Sequence, residues 1–295
     1  MIFLGMGSYF AIMTCRNSEK LVKSAILSLL TQIVPPKYII VVNDGSTDNT
    51  QTILQQIKAD HDNLYIITHP DLGYDITRVV KNWNEALRIV KDSNLDKTDY
   101  HMIATDDTVY PKDYTSKMIS FLDSHSEIVI SSGQHGKERS IFPHGAGRFV
   151  RNSFFHETRW NGFYPEKMGY ETAILYEALR CNYNFHVLND LKFEHNRPLG
   201  TNHKFYTFGA SMVTLGYHPF YVYARFVKNI ITGKETGKIG AFFMLYHYLK
   251  FKPNRSGFDS LFDKETREFI RKIQKKKLEN LLVGKLTFNK LSLFR

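Results

Sequence analysis

Two adjacent carboxylates, Asp106 and Asp107, close the run from Tyr100 to Pro111, where an apolar stretch breaks abruptly into acid groups and then a turn residue. The run reads as a buried strand delivering acids to a sheet edge. In open α/β sheets ligands collect at the carboxyl ends of the strands, so acids placed there face a crevice. Side-by-side like charges are costly unless a cation sits between them or water reaches them. A divalent metal carrying a phosphorylated ligand suits such hard oxygen donors. Taken alone, a solvated Asp-Asp turn capping a helix from about Pro111 accounts for the pair equally well, so the neighbouring elements must decide.

Those elements alternate. Tyr9 to Met13 is a strand, followed by the loop Thr14 to Asn17 and a Ser18-capped helix with apolar positions at Leu21, Val22, Ala25, Ile26, Leu29 and Leu30. Tyr38 to Val42 is the next strand, and Asn43 to Asp48 is a turn-rich loop before a helix from Thr50 to about Lys58. A third strand, Leu64 to Thr68, leads to a helix from about Ile76 to Val90. The acid-bearing strand precedes a helix from about Pro111 to Leu122, and Glu127 to Ser131 is a fifth strand. This spacing predicts βαβ units in a mainly parallel sheet. The loops at Thr14, Asp44 and Asp106 then share one edge, which favours a metal and nucleotide site over a capped turn. Beyond Ser132 the alternation breaks down. Arg148 to Phe155 reads as a strand, Glu171 to Arg180 as a helix, Phe185 to Leu188 as a short extended run, and Lys192 to Arg197 as a polar segment carrying His195.

The chain has 295 residues and a formal charge of +10. That excess is local: 18 of the 39 Lys and Arg but only 6 of the 29 Asp and Glu lie from Thr201 onward. Such asymmetry suggests a basic region, 201–295, meeting an anionic surface, after a domain spanning 1–200. Leu215 to Lys228 and Ile239 to Lys252 are aromatic runs flanked by cations, suited either to a helical hairpin at a bilayer surface or to ordinary helices packed as core. No recognised nucleic-acid module accompanies the charge, and no nucleic-acid partner is expected. Cys15 and Cys181 lack metal-type spacing, so a disulfide framework is not expected and a reducing compartment is favoured. The longest apolar run, Ile239 to Leu249, is well short of the roughly 20 residues that a membrane span requires. A cytoplasmic protein follows, soluble or peripheral on the inner face of the membrane.

Residues 9 to about 197 resemble glycosyltransferase family 2, whose enzymes have the GT-A fold. The resemblance is carried in order by Ile12 to Asn17, Val42 to Asp48, Ala104 to Asp107, Gly145 to Gly147, the acidic helix start at Glu171, and His195. The stretch Ala104 to Tyr110 is similar to the spore-coat branch of that family. The resemblance implies an α/β GT-A nucleotide-binding sheet followed by a helical, basic C-terminal region. It also implies transfer of a sugar from a nucleotide-sugar, by preference a UDP-sugar, to a hydroxyl on a glycan or lipid-linked acceptor, assisted by Mg²⁺ or Mn²⁺. Asp107 would bind the metal, Asp106 the ribose or donor sugar, and His195 the metal or diphosphate. Asp44 and Thr14 would contact base and ribose, although Asp before Gly is also a common turn pair. Arg16, Arg78 and Lys81 could face the nucleotide or lie solvated.

Inverting transfer requires a general base for the acceptor hydroxyl. The family places Glu-Asp there, whereas this chain has Glu171-Thr172. Glu171 stands either for the family's Glu or for its Asp, and in both registers it is the nearby carboxylate suited to the task, ahead of Glu166 and Glu177. The processive Gln-x-x-Arg-Trp pattern is not found after Glu171, and Arg159-Trp160 precedes it, which favours single-sugar transfer. Two other readings are a nucleotidyltransferase on a similar sheet and a non-catalytic binder of sugar nucleotides or membranes that kept the fold.

Overall fold

A computed structural model describes residues 5–93, 97–135, 139–197, 204–233 and 236–282. The chain folds as two compact units, one comprising Met1–Tyr164 with Cys181–Arg197 and the other Pro165–Arg180 with Pro198–Arg295. The boundary expected at residue 200 lies outside the described residues.

In the first unit, β1 (Tyr9–Cys15), β2 (Ile39–Asn43), β3 (Leu64–Thr68) and β4 (Tyr100–Thr105) form a parallel set with β1 between β2 and β4. β1 and β2 are nearly continuous apolar runs because both of their faces are buried. One face packs on α1 (Val22–Leu30), whose Val22, Ala25, Ile26 and Leu29 recur at helical spacing and meet Ala11 and Met13 in the main core. Full burial of a side chain such as Ile26 stabilises the fold by about 1.5–3 kcal/mol. α2 (Thr50–Asp60) and α3 (Arg78–Asp92) follow β2 and β3, and α4 (Tyr114–Ser124) follows the two-residue β5 (Thr108–Val109).

Beyond the parallel set expected from the alternating elements, the rest of the sheet also contains antiparallel pairs. β6 (Ile128–His135), β7 (Arg148–Arg151) and β8 (Asn184–His195) complete the order β3-β2-β1-β4-β7-β6-β8-β5. β7 is antiparallel to both β4 and β6, and β5 is antiparallel to β8. The sheet is therefore mixed. The strand expected over Arg148 to Phe155 stops at Arg151 and becomes α5 (Asn152–Glu157). The Asn152 backbone amide still donates to the Asp99 carbonyl at 2.9 Å, and its side-chain amide donates to the Thr98 carbonyl and hydroxyl at 2.8 and 3.0 Å. The short run foreseen at Phe185 to Leu188 extends to a 12-residue strand ending on His195.

Those two donor bonds turn the Asn152 carbonyl oxygen toward His101, fully buried on β4, so the His101 Nδ1–H donates to it at 2.7 Å. Nε2 is left to accept from the Tyr164 hydroxyl at 2.8 Å. Burial moves the His101 pKa from 6.5 down to about 4. Between those values the unfolded chain binds a proton that the folded chain refuses, so stability is full above about pH 6.5 and declines as pH falls toward 4. We expect a loss of roughly 3 kcal/mol from this group, measurable as a falling urea midpoint between pH 7 and 4.5. A His101 imidazole titrating near 6.5 by NMR in the folded protein would contradict this.

The second unit is helical, with α6 (Tyr170–Arg180), α7 (Tyr206–Thr214), α8 (Pro219–Thr232), α9 (Gly237–Lys250) and α10 (Lys264–Leu282). α9 packs on both α7 and α8. Among the described residues no helix is long and apolar enough to cross a membrane.

Candidate active site

β4 ends at Thr105, and the chain turns at Asp106 and Asp107 before β5 adds its two residues against β8. That short pairing sets Thr108 opposite His195. The Asn196 amide donates to the Asp107 carbonyl at 2.9 Å and fixes the same junction. His195 Nδ1 consequently lies 3.1 Å from Asp107 Oδ1 and 3.0 Å from the Thr108 hydroxyl. Beneath this junction Tyr114 is fully buried, accepting the Gly133 amide at 2.8 Å and donating to the Gly147 carbonyl at 2.7 Å. Gly147 has φ +71, and a Cβ there would stand 2.4 Å from the Tyr114 hydroxyl oxygen. Glycine is the residue that fits such a close approach.

Arg197 bridges the two carboxylates. Its Nη1 donates to both Asp106 oxygens at 3.0 and 3.2 Å, and its Nε lies 4.0 Å from Asp107 Oδ2. Its Nη2 donates to the Ser18 hydroxyl at 2.6 Å, and that hydroxyl donates to Asp106. Ser18 therefore serves the site and does not cap α1, contrary to expectation. The first turn is anchored instead by the Ser18 carbonyl, which accepts the Leu21 and Val22 amides.

The neighbouring acids are driven in opposite directions. Burial pushes the Asp106 carboxyl above the usual range, more strongly than Arg197 and Ser18 pull it down. Burial also opposes charge on Asp107, but the hydrogen bond and charge of His195, aided by Thr105 and Arg197, hold its carboxyl below the usual range. An ionised Asp107 beside an imidazole nitrogen is a donor set suited to Mg²⁺ or Mn²⁺, ions that take one or two protein ligands and complete their shell with phosphate and water. No cluster of three or more such ligands occurs among the described residues. The donor pair fits a metal shared with a phosphorylated ligand.

The loop after β2 carries a second charged network. Arg78 holds Asp44 through two bonds of 2.8 and 3.1 Å. Arg16 donates to the Gly45 carbonyl at 2.8 Å and pairs with Asp71 at 2.6 Å. Gly45 has φ +67 and lies so close to Pro70 and Asp71 that a Cβ would clash with their backbone. The Thr14 hydroxyl, at the end of β1, is buried without a hydrogen-bond partner. Lys81 is exposed on α3, and its charge acts on Asp75, which lies 3.9 Å from Arg78.

Glu171 occupies the first turn of α6, in the second compact unit. The turn is set by Gly169, with φ +92 and no room for a Cβ against Leu215. Glu177, a weaker rival for the base, is buried and ion-paired with Arg180 at 2.5 Å.

Sequence reasoning missed Arg197, Ser18 and two histidines. Extended chain alternates sides, so Arg197, two residues past His195, could have been placed on its face. His135 and His144 had no such signal. The His135 ring lies 5.2 Å from His195 and 6.2 Å from His144. Burial, then the charge of His195, lowers the pKa of His135 against an opposing pull from Asp107, and burial with the charges of His135, Arg148 and His195 brings that of His144 to about 4.

A mixed sheet with paired acids at a central strand end and a histidine returning from a late strand defines a GT-A glycosyltransferase. A mannosyltransferase from Pyrobaculum calidifontis, solved with GDP-Man and Mn²⁺, superposes with a TM-score of 0.57 at 15% identity over 83% of this chain and 70% of its own. Staphylococcus aureus TarS 1–349, solved with UDP, gives 0.51 at 18% identity over 97% and 80%. The chain belongs to glycosyl transferase family 2, whose family model matches residues 10–179. A curated relative, poly-beta-1,6-N-acetyl-D-glucosamine synthase of Staphylococcus epidermidis, is 39% identical over 51 residues, 17% of this chain and 12% of the synthase. The match thus spans a small part of that protein's length.

Proposed function

We propose that this glycosyltransferase transfers a single sugar, with inversion, from a UDP-sugar to a hydroxyl of a glycan or lipid-linked acceptor in polysaccharide assembly. It works on the cytoplasmic side, peripherally at an anionic membrane surface. The observation that carries the transfer chemistry is the junction where the β5–β8 pairing sets His195 against Asp107 while Arg197 binds Asp106. Asp107 and His195 would hold Mg²⁺ or Mn²⁺, which supplies charge neutralisation to the departing diphosphate. Arg197, one-third exposed, is a fixed positive charge for the same leaving group. Asp106 orients the donor sugar or ribose, and Ser18 steadies it.

The unpartnered Thr14 hydroxyl is available to the ribose. Asp44, held in one orientation by Arg78, presents the base contact, while Arg16 and Arg78 shape that loop and Lys81 lies outside it. Glu171 accepts the acceptor hydroxyl's proton as the oxygen attacks the anomeric carbon, and the bond electrons to the diphosphate leave with it.

The donor class is tested by thermal shift with UDP-sugars and GDP-sugars, each with and without Mn²⁺. Ligand that binds the native state stabilises it by about 2.7 kcal/mol at 100 times its Kd. We expect a melting rise of several degrees with UDP-sugar that requires the ion. No shift with any sugar nucleotide would defeat the reading.

A further inference from the structure

The second compact unit leaves one face of two packed helices in solvent, and that face is apolar. On α8, Phe220, Tyr223, Val227 and Ile231 recur at spacings of three and four, opposite the buried Val222 and Asn229. On α9, Ile239, Phe242, Tyr246 and Leu249 repeat the pattern opposite Gly240, Ala241 and Met244. Ile231 and Ile239 are each 75% exposed, and Phe220 is 73% exposed. The Phe226 and Phe242 rings, 5.3 Å apart, join the stripes side by side. Single exposed apolar residues need no explanation, but a contiguous patch of this kind marks a docking surface.

Its charge selects the occupant. From Lys204 to Phe258 the chain carries eight Lys and Arg against one acid, Glu235. Lys238 and Lys250, both exposed, stand at the two ends of the α9 stripe. A second copy docked through the same patch would set cations against cations, since a two-fold interface apposes a surface to itself. An anionic bilayer instead offers hydrocarbon to the stripe and headgroups to the lysines, as amphipathic interfacial helices require.

We infer that the α8–α9 hairpin seats the enzyme on an anionic membrane, with the Phe220–Ile231 and Ile239–Leu249 stripes entering the acyl boundary. This rests on the membrane part of the proposed function and not on its transfer chemistry.

Flotation of the full chain tests it, using vesicles of phosphatidylglycerol with phosphatidylcholine and vesicles of phosphatidylcholine alone. The native protein should float with the anionic vesicles, more weakly as salt rises. Ile231→Glu with Ile239→Glu should reduce that binding by at least about 10-fold, because two inserted side chains are lost, with circular dichroism unchanged. Lys238→Glu with Lys250→Glu should remove the preference for anionic lipid. If the native protein floats and the isoleucine variant floats equally, this face is the wrong one while membrane attachment stands. If the native protein does not float, both are overturned. A dimer in sedimentation that the isoleucine variant dissociates would assign the face to a second copy.

Discussion

Replacing Glu171 with Gln should leave UDP-sugar binding unchanged while transfer falls by about 10²-fold or more, the usual contribution of a positioned general base. The amide keeps the size and hydrogen-bonding reach of the carboxylate but cannot take a proton. That fold-change corresponds to about 2.7 kcal/mol of lost transition-state stabilisation. The acceptor being unidentified, the slow hydrolysis of a UDP-sugar is the readout, with water in place of the hydroxyl. Glu177 is a poor substitute, since its carboxylate is buried against Arg180. Exposed Glu166 is the remaining rival, and turnover of Glu171→Gln near that of the native protein would move the role there. Hydrolysis that is absent from the native protein as well as from Glu171→Gln would favour a binding protein that kept the fold.

The second large effect is expected at Asp107. In the native protein, calorimetry should show UDP affinity rising by about 10-fold or more on adding Mn²⁺, or about 1.4 kcal/mol. In Asp107→Asn the two affinities should coincide, because the neutral amide gives up the ionised donor that His195 supports. Arg197→Ala should behave differently. The guanidinium now neutralises Asp106, so its removal should tighten binding of Mn²⁺ alone and weaken binding of UDP without metal. Unchanged metal dependence in Asp107→Asn, in a protein with a native urea midpoint, would place the ion elsewhere.

How much of this could be read from the chain depends on the range of the interactions. β1, β2 and β4 were legible because strands buried on both faces are written as unbroken apolar runs. The amphipathic faces of α1 and α3 were legible through their 3.6-residue period. β7 was misjudged because Phe154 and Phe155 continue an apolar pattern, while the chain turns into α5 from Asn152 and buries both rings from the helix. The sheet's mixed character was hidden because strand direction is decided by connections, not by residue type. At the site, the acids and His195 stood out by type. Ser18 did not, since a serine before a helix has a ready local explanation in capping, and only the fold reveals the longer-range partner it has instead.

The two-residue β5 has a consequence for the order in which the enzyme becomes competent. Its partner strand lies 87 residues further along in the chain at the Thr108–His195 pair, and β8 must first find its place beside β6. Closing so long a segment sacrifices chain entropy before any contact there is gained, and contacts of high sequence separation form late. During synthesis, the sheet from β1 to β4 can collapse on its own apolar faces well before residue 195 leaves the ribosome. A chain at that stage holds Asp106 and Asp107 with neither His195 nor Arg197 to balance them. On the proposed function, competence for metal and diphosphate would therefore arrive as a late event in the protein's birth, coupled to completion of β8.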